Sequence, residues 1–202
     1  MTNIDQIELT LPNGDVLTME RGITPGEVAT SIGPGLAKAA LAAVVNGETV
    51  SLMDPLQSNA DIRILTVKDP ESLPVLRHSA AHVLATAVRE LLPNAGIGFG
   101  PAIEEGFYYD FEVDTPFTPD DLEAFEKRMA EVTLADQPFE RRQVTKDEAR
   151  QLFEDDPLKL ERLEEFGDDE VITVYENGPF LDLCKGPHVP VSYTHLTLPT
   201  KA

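Results

Sequence analysis

The sequence contains no tryptophan, one cysteine and few basic residues. A single cysteine excludes a disulfide within the chain, which fits a reducing compartment, and we expect the cytoplasm. No apolar run approaches the roughly 20 residues that a membrane-spanning helix needs, so we expect no membrane partner. The first residues lack the basic and apolar regions of a secretory signal, and none is expected.

Basic residues are scarce relative to acidic ones. The chain has 16 Lys and Arg against 36 Asp and Glu, a formal net charge of −20. Sequence-independent binding of nucleic acid depends on cations that neutralise phosphates, so this balance argues against it. Any contact with RNA must therefore be local, or assisted by another chain or domain. With 202 residues, 42% of them hydrophobic, the chain can form one large domain or two small ones.

The first third of the chain predicts a small α+β unit. Apolar residues alternate with polar ones over residues 7–11, which is typical of a half-buried strand. Hairpin turns are indicated at residues 12–15 and at Asn46-Gly47. Between them, Thr24-Pro25-Gly26-Glu27 predicts a helix start with a capping box, and the helix is expected to end near residues 33–35. Residues 62–66 predict a closing strand.

A polar, proline-containing linker at residues 67–73 leads into a second region. The apolar spacing of residues 75–92 predicts a long helix. A glycine-rich stretch, residues 96–101, lacks the Lys and Ser/Thr of a phosphate loop and suits a strand or turn with a close backbone approach. Further elements are expected in the order aromatic strand 106–111, helix from Thr118, strand 139–144, helix 145–153, acid-rich segment 155–170 and strand 171–175.

Two segments carry most of the reactive side chains. His78 and His82 are four residues apart on the long helix, so both imidazoles point the same way. About a hundred residues later, the segment 182–188 supplies the carboxylate of Asp182, the thiol of Cys184 and the imidazole of His188. The whole chain has only four histidines and one cysteine.

Several readings of these residues remain open from their types and spacing. His78, His82, Cys184 and His188 are ligands suited to tetrahedral zinc. The zinc-protease pattern also needs Glu directly after the first histidine, where this chain has Ser79, so that chemistry is not supported. Cys184 as a covalent nucleophile would need a depressed thiol pKa. Histidines of purely structural function, in a module that binds RNA or protein without catalysis, are a further alternative.

Longer segments resemble a known family. Residues 77–82, 98–101, 106–110 and 182–190 closely resemble the N-terminal half of bacterial threonyl-tRNA synthetases, and the preceding unit resembles their TGS domain. The resemblance implies an α+β fold in which residues 1–67 form a ubiquitin-like β-grasp (TGS) domain. Residues 68–190 would form an editing domain of the threonyl/alanyl-tRNA synthetase type. Residues 191–202, including His195, do not resemble the family, and we interpret them as foreign sequence of adaptor or assembly origin.

The resemblance implies hydrolytic editing of mischarged seryl-tRNA(Thr). By this likeness His78, His188 or Lys159 would position or activate water, and Asp182 would bind the seryl ammonium or orient a histidine. Cys184 and His82 would shape the pocket and hydrogen-bond the ribose or the serine hydroxyl. The expected residues of the substrate wall are Gly98, Gly100, Tyr108 and Tyr109.

The resemblance also sets expectations for metal and partners. The threonyl family is understood to edit without metal, whereas the alanyl relatives hold zinc at a similar ligand pattern, so we expect no cofactor and keep a zinc-dependent deacylase as the alternative. The expected partner is the acceptor end of tRNA(Thr) carrying serine. The family's aminoacylation and anticodon-binding domains, through which it forms homodimers, are not recognisable in these 202 residues, so no aminoacylation is expected from this chain alone.

Overall fold

The computed structural model describes residues 5–167 and 170–191. They divide into two compact units, one extending to Leu76 and including Gly186–Pro190, the other comprising Arg77–Lys185. No helix in the described ranges is both long and apolar enough to cross a membrane. Apart from Val191, the segment interpreted as foreign, with His195, lies outside the described residues.

The first unit is built on one mixed sheet. Its strands are β1 (Gln6–Thr10), β2 (Val16–Glu20), β3 (Ala40–Val45), β4 (Glu48–Val50) and β5 (Ala60–Thr66). They are arranged in the order β2-β1-β5-β3-β4. The central pair β1–β5 is parallel, and the other pairs are antiparallel. This arrangement, with a helix between the two hairpins, is the predicted β-grasp.

Local sequence signals set the boundaries of these elements. Helix α1 (Pro25–Ile32) begins as predicted, with Thr24 as N-cap and Glu27 closing the capping box. In the second hairpin turn, Asn46 and Gly47 adopt positive φ angles of 50° and 90°, as a tight hairpin turn requires. A second helix, α2 (Pro34–Ala39), follows α1 directly. It was not predicted, since the Gly-Pro-Gly sequence was interpreted only as a helix end, although Pro34 is also a favourable first helical residue.

The core of the first unit lies on one face of the sheet. Ile7 and Leu9 of β1 pack with Val28 of α1 and with Ala43 and Ile62 of the neighbouring strands. The alternation predicted from residues 7–11 is therefore the alternation of buried and exposed side chains along β1.

Within the residues that the structure describes, the second unit combines four helices with a three-stranded sheet. The helices are α3 (Ser72–Leu91), of which the part from Arg77 belongs to this unit, α4 (Pro119–Leu134), α5 (Lys146–Leu152) and α6 (Pro157–Glu164). The sheet is antiparallel, in the order β10 (Phe139–Val144), β11 (Ile172–Asn177), β12 (Phe180–Leu183). Four short strands form two further pairs: β6 (Gly96–Ile97) with β9 (Phe111–Glu112), and β7 (Ala102–Ile103) with β8 (Gly106–Phe107).

Two apolar clusters flank β12. One joins α3, β6 and α4 to Phe180 at the start of the strand. The other joins α5, α6 and β11 to Leu183 at its end. Both ends of the strand are thus packed into an apolar cluster, which fixes the position from which the chain continues after Leu183.

Two predictions for the second unit need correction. Residues 106–111 do not form one aromatic strand, because β8 and β9 pair with different partners and residues 108–110 lie between them. The acid-rich segment 155–170, for which no element was predicted, contains α6. Asp156 caps this helix by accepting a hydrogen bond from the Lys159 amide, and Pro157 is its first residue. The Asp-Pro pair was the available signal.

Candidate functional site

Helix α3 presents His78 and His82 on one face. Their ring centroids lie 5.3 Å apart in an edge-to-face arrangement. The two environments differ, since His82 is only 2% exposed and packs edge-on against Phe180, whereas His78 is half-buried. The four-residue spacing therefore gives one enclosed imidazole and one more accessible imidazole.

Strand β12 delivers Asp182 and Cys184 to the same place. Asp182 pairs with Tyr175 in the β11–β12 register. Just past the strand, the Cys184 amide donates to the Thr173 carbonyl over 3.1 Å. The Thr173 hydroxyl donates to the Cys184 carbonyl over 2.5 Å. These two bonds hold the cysteine backbone, although sequence pattern gave no reason to single out Thr173.

The helix and the strand meet through two side-chain pairs. His82 Nε2 lies 3.4 Å from Asp182 Oδ2. His78 Nε2 lies 3.3 Å from Cys184 Sγ, within hydrogen-bonding distance for sulfur. Residues separated by about a hundred positions in the sequence therefore form one cluster within the second unit.

Lys159 of α6 enters the cluster from another side. It is 1% exposed, and its Nζ lies 2.5 Å from Asp182 Oδ1. The same ammonium donates to the Gly98 carbonyl over 2.6 Å and lies 4.1 Å from the centroid of the Phe99 ring. An ammonium buried this deeply is stable only if a charge and hydrogen-bond acceptors surround it, and these contacts supply them.

Tyr109 completes the surroundings of the Asp182 carboxylate. Its hydroxyl donates to Asp182 Oδ2 over 2.7 Å. Asp182, which is 3% exposed, thus has Lys159 at one oxygen, and Tyr109 and His82 at the other. The sequence indicated Tyr109 only as a wall residue, and its contact with Asp182 had no sequence signal.

Burial sets the protonation of this cluster. The pKa of His82 falls from 6.5 to about 4, mainly because of burial; Asp182 opposes this shift, and His78 and Lys159 contribute to it. Burial, reinforced by the Asp182 carboxylate, raises the pKa of the Tyr109 phenol well above its ordinary value. At neutral pH His82 is therefore an uncharged imidazole, and Tyr109 remains a hydrogen-bond donor.

Three of the four predicted zinc-type ligands lie together in the second unit. The candidate ligand atoms of His78, His82 and Cys184 all lie within 4.8 Å of one another. His188, on the segment Gly186–Pro190 of the first unit, is 1% exposed. Two imidazoles and a thiol match donor types of tetrahedral zinc, and Asp182 beside His82 resembles the carboxylate that often orients a ligating histidine.

The predicted wall residues occupy different positions. Tyr108 is 49% exposed, whereas Tyr109 reaches Asp182. Gly98 and Gly100 lie against the chain at residues 108–110, and a Cβ atom on either would come within 3.0 Å of it. The close backbone approach predicted from the glycine spacing is therefore present, between residues 98–100 and residues 108–110.

Comparison with known proteins places this geometry in a family context. The TGS domain model matches residues 7–66. The threonine–tRNA ligase of Pelobacter propionicus is 47% identical over 189 residues, covering 93% of this chain and 30% of that protein. The Burkholderia multivorans enzyme is 47% identical over 186 residues, covering 91% and 29% respectively. The Geobacter sp. strain M21 enzyme is 46% identical over 189 residues, covering 93% and 30%.

The chain is homologous to the N-terminal region of threonine–tRNA ligases. It carries the TGS domain and spans about 30% of the length of these relatives. The resemblance found in the sequence is confirmed at this level, as is the mixed α+β fold with a β-grasp TGS domain.

Proposed function

We propose that the second unit is an editing domain that hydrolyses the ester of seryl-tRNA(Thr). The observation that carries the proposal is the meeting of α3 with the end of β12, where His78 faces Cys184 at 3.3 Å and His82 faces Asp182 at 3.4 Å. Homology to threonine–tRNA ligases supplies the substrate class, a threonine-specific tRNA.

The chemical need for such a site follows from substrate size. Serine is smaller than threonine by one methyl group, and a synthetic site that accepts threonine gains only about 1–3 kcal/mol from that methyl. A second site that admits serine and excludes threonine restores accuracy. The overall acidity of the chain, −20, implies that recognition is confined to the acceptor end, with little contribution from long-range attraction to phosphates.

The contacts support distinct roles for the polar groups. His78, the more accessible histidine, takes a proton from the attacking water and returns one to the ribose oxygen as the ester bond breaks. Both oxygens of Asp182 are occupied by Lys159, Tyr109 and His82, which favours orientation of His82 over binding of the seryl ammonium.

Lys159 has a supporting function in this scheme. Its ammonium is held between Asp182 and the Gly98 carbonyl, and a charged group so engaged is poorly placed to accept a proton. We therefore assign it to fixing Asp182 and leave proton transfer to His78. Cys184, beside His78, orients that imidazole and shapes the pocket.

A metal-free site is the first candidate, because the hydrogen-bonded cluster supplies a base and an oriented imidazole without an ion. A zinc-dependent deacylase is the second candidate, favoured by the spacing of the ligand atoms of His78, His82 and Cys184. In that reading these three residues would hold the ion, with His188 as the fourth ligand predicted from the sequence, and the ion would supply a polarised water.

The test is hydrolysis of seryl-tRNA(Thr) by the 202-residue chain and by its His78→Ala and Cys184→Ala variants. Lys127→Ala, on the exposed side of α4, is the surface control. We expect ester loss above background with the wild type and the control, and near-background rates with both site variants. Background-level hydrolysis by all four proteins would contradict the proposal and favour a non-catalytic binding module.

A further inference from the structure

The glycine-rich segment lies alongside the chain that carries Tyr109. The Gly98 amide donates to the Asp110 carbonyl over 2.8 Å, and the Asp110 amide donates to the Phe99 carbonyl over 3.0 Å. These bonds extend the β6–β9 pairing toward residue 100. The segment is thus fixed by backbone hydrogen bonds, and the missing side chains leave room for its neighbour.

The ring of Tyr109 occupies the space that a side chain at position 100 would need. A Cβ atom on Gly100 would lie 2.2 Å from Tyr109 Cδ2 and 2.6 Å from Cγ. It would also lie 2.5 Å from the Tyr108 carbonyl oxygen. These atoms belong to the base of the ring and to the backbone, so a rotation at the end of the side chain cannot relieve the overlap.

The same segment supports two residues that contact Asp182. Gly100 makes room for the ring whose hydroxyl donates to Asp182 Oδ2 over 2.7 Å. Gly98 provides the carbonyl that accepts from Lys159, and Lys159 contacts Asp182 Oδ1. Both oxygens of the carboxylate are therefore positioned by groups that depend on residues 98–100.

We propose that residues 98–100 are a positioning element for the Asp182 carboxylate, with Gly100 acting through the hydroxyl of Tyr109. This inference rests on the proposed deacylation, because that reaction gives the orientation of Asp182 its consequence. It assigns Gly98 and Gly100 a function in positioning the Asp182 carboxylate, distinct from contact with the substrate.

A matched glycine is available in the same unit. Gly106 lies at the start of β8, and an added Cβ would have no neighbour within 4 Å. Replacing either glycine by alanine restricts the unfolded chain to a similar extent. A difference between Gly100→Ala and Gly106→Ala therefore reports the crowding around Tyr109.

The kinetic test is a double-mutant cycle on seryl-tRNA(Thr) hydrolysis with Gly100→Ala, Tyr109→Phe and the combined variant. We expect each single change to lower kcat about tenfold with little change in KM, the loss expected for one hydrogen bond to a charged group. The combined variant should be little worse than either single variant, and Gly106→Ala should stay within about twofold of wild type. Additive losses in the combined variant, or a Gly100→Ala rate equal to wild type, would overturn the inference.

A second readout is independent of activity. The chain has four tyrosines, and alkaline ultraviolet difference absorbance counts those that ionise near the ordinary phenol pKa of about 10. Gly100→Ala should release Tyr109 from Asp182 and add one phenol to that count, whereas Gly106→Ala should not. An unchanged count in folded Gly100→Ala protein would overturn the inference. A wild type without hydrolysis whose count still rises on Gly100→Ala would contradict the proposed function while supporting the positioning element.

Discussion

Replacing Asp182 by Asn should strongly destabilise the second unit. The carboxylate is 3% exposed and its partner Lys159 is 1% exposed, with 2.5 Å between Oδ1 and Nζ. Asn preserves the shape of the side chain and removes its charge. The Lys159 ammonium then stays buried without the Asp182 charge, and the Gly98 carbonyl and the Phe99 ring remain as favourable but uncharged neighbours.

The magnitude follows from the cost of isolating a buried charge. Removing one partner of a buried ion pair typically destabilises a protein by about 3–5 kcal/mol, much more than the net contribution of the intact pair. The altered hydrogen bond from Tyr109 acts in the same direction. We therefore expect the free energy of unfolding to fall by about 3–5 kcal/mol.

Urea denaturation followed by near-ultraviolet circular dichroism measures this change in the second structural unit. The sequence has no tryptophan, and every tyrosine and phenylalanine follows residue 98. The aromatic signal therefore reports the unfolding of the second unit and is insensitive to the first. This separation matters because a protein of two units need not unfold in a single transition.

Two comparisons sharpen the result. Glu164 pairs with Arg150 and is 62% exposed. Changing it to Gln should lower the free energy of unfolding by less than about 1 kcal/mol. The double change Lys159→Met with Asp182→Leu removes both charges and should be more stable than Asp182→Asn alone, although inactive. If the free energy of unfolding of Asp182→Asn were within about 1 kcal/mol of the wild-type value, the buried ion pair would not exist as described.

Three further outcomes are expected. The pKa of His82 is about 4 in the folded protein, against an ordinary value of 6.5, so the unfolded chain binds the proton first as the pH falls. The free energy of unfolding should therefore fall by up to about 3 kcal/mol as the pH is lowered from 6.5 to 4. Urea denaturation at several pH values should show a smaller dependence of stability on pH in His82→Gln. Thr118→Ala removes the α4 capping box and should cost about 1 kcal/mol in the same assay, whereas the exposed Thr115→Ala should cost almost nothing. Metal analysis of purified protein should find no stoichiometric zinc, and a zinc content lost in Cys184→Ser would favour the zinc-dependent alternative.

Elements with strong local signals were predicted from sequence. The helix starts predicted at Thr24, Thr118 and Thr145 are all present, and each has a capping box, which the sequence pattern had predicted at Thr24. Strand β10 spans the predicted residues. These features depend on neighbours a few positions away, so a short window of sequence contains the physics that decides them.

Features that depend on distant partners were harder to predict. The split of residues 106–111 between two strands follows from which segment each strand pairs with, and that information is absent from the aromatic pattern. The contacts of Asp182 with Tyr109 and Lys159 join residues from three parts of the chain. The candidate site residues stood out in the sequence because histidine and cysteine are so scarce here, but the distances between their side chains required coordinates.

The most direct test of the proposed editing is the ratio of the hydrolysis rates of seryl-tRNA(Thr) and threonyl-tRNA(Thr) by the same protein preparation. We expect faster loss of serine, by roughly 10- to 200-fold, the range that one methyl group provides, with the serine activity abolished in His78→Ala. Equal rates for the two esters, or a serine rate unaffected by His78→Ala, would contradict it.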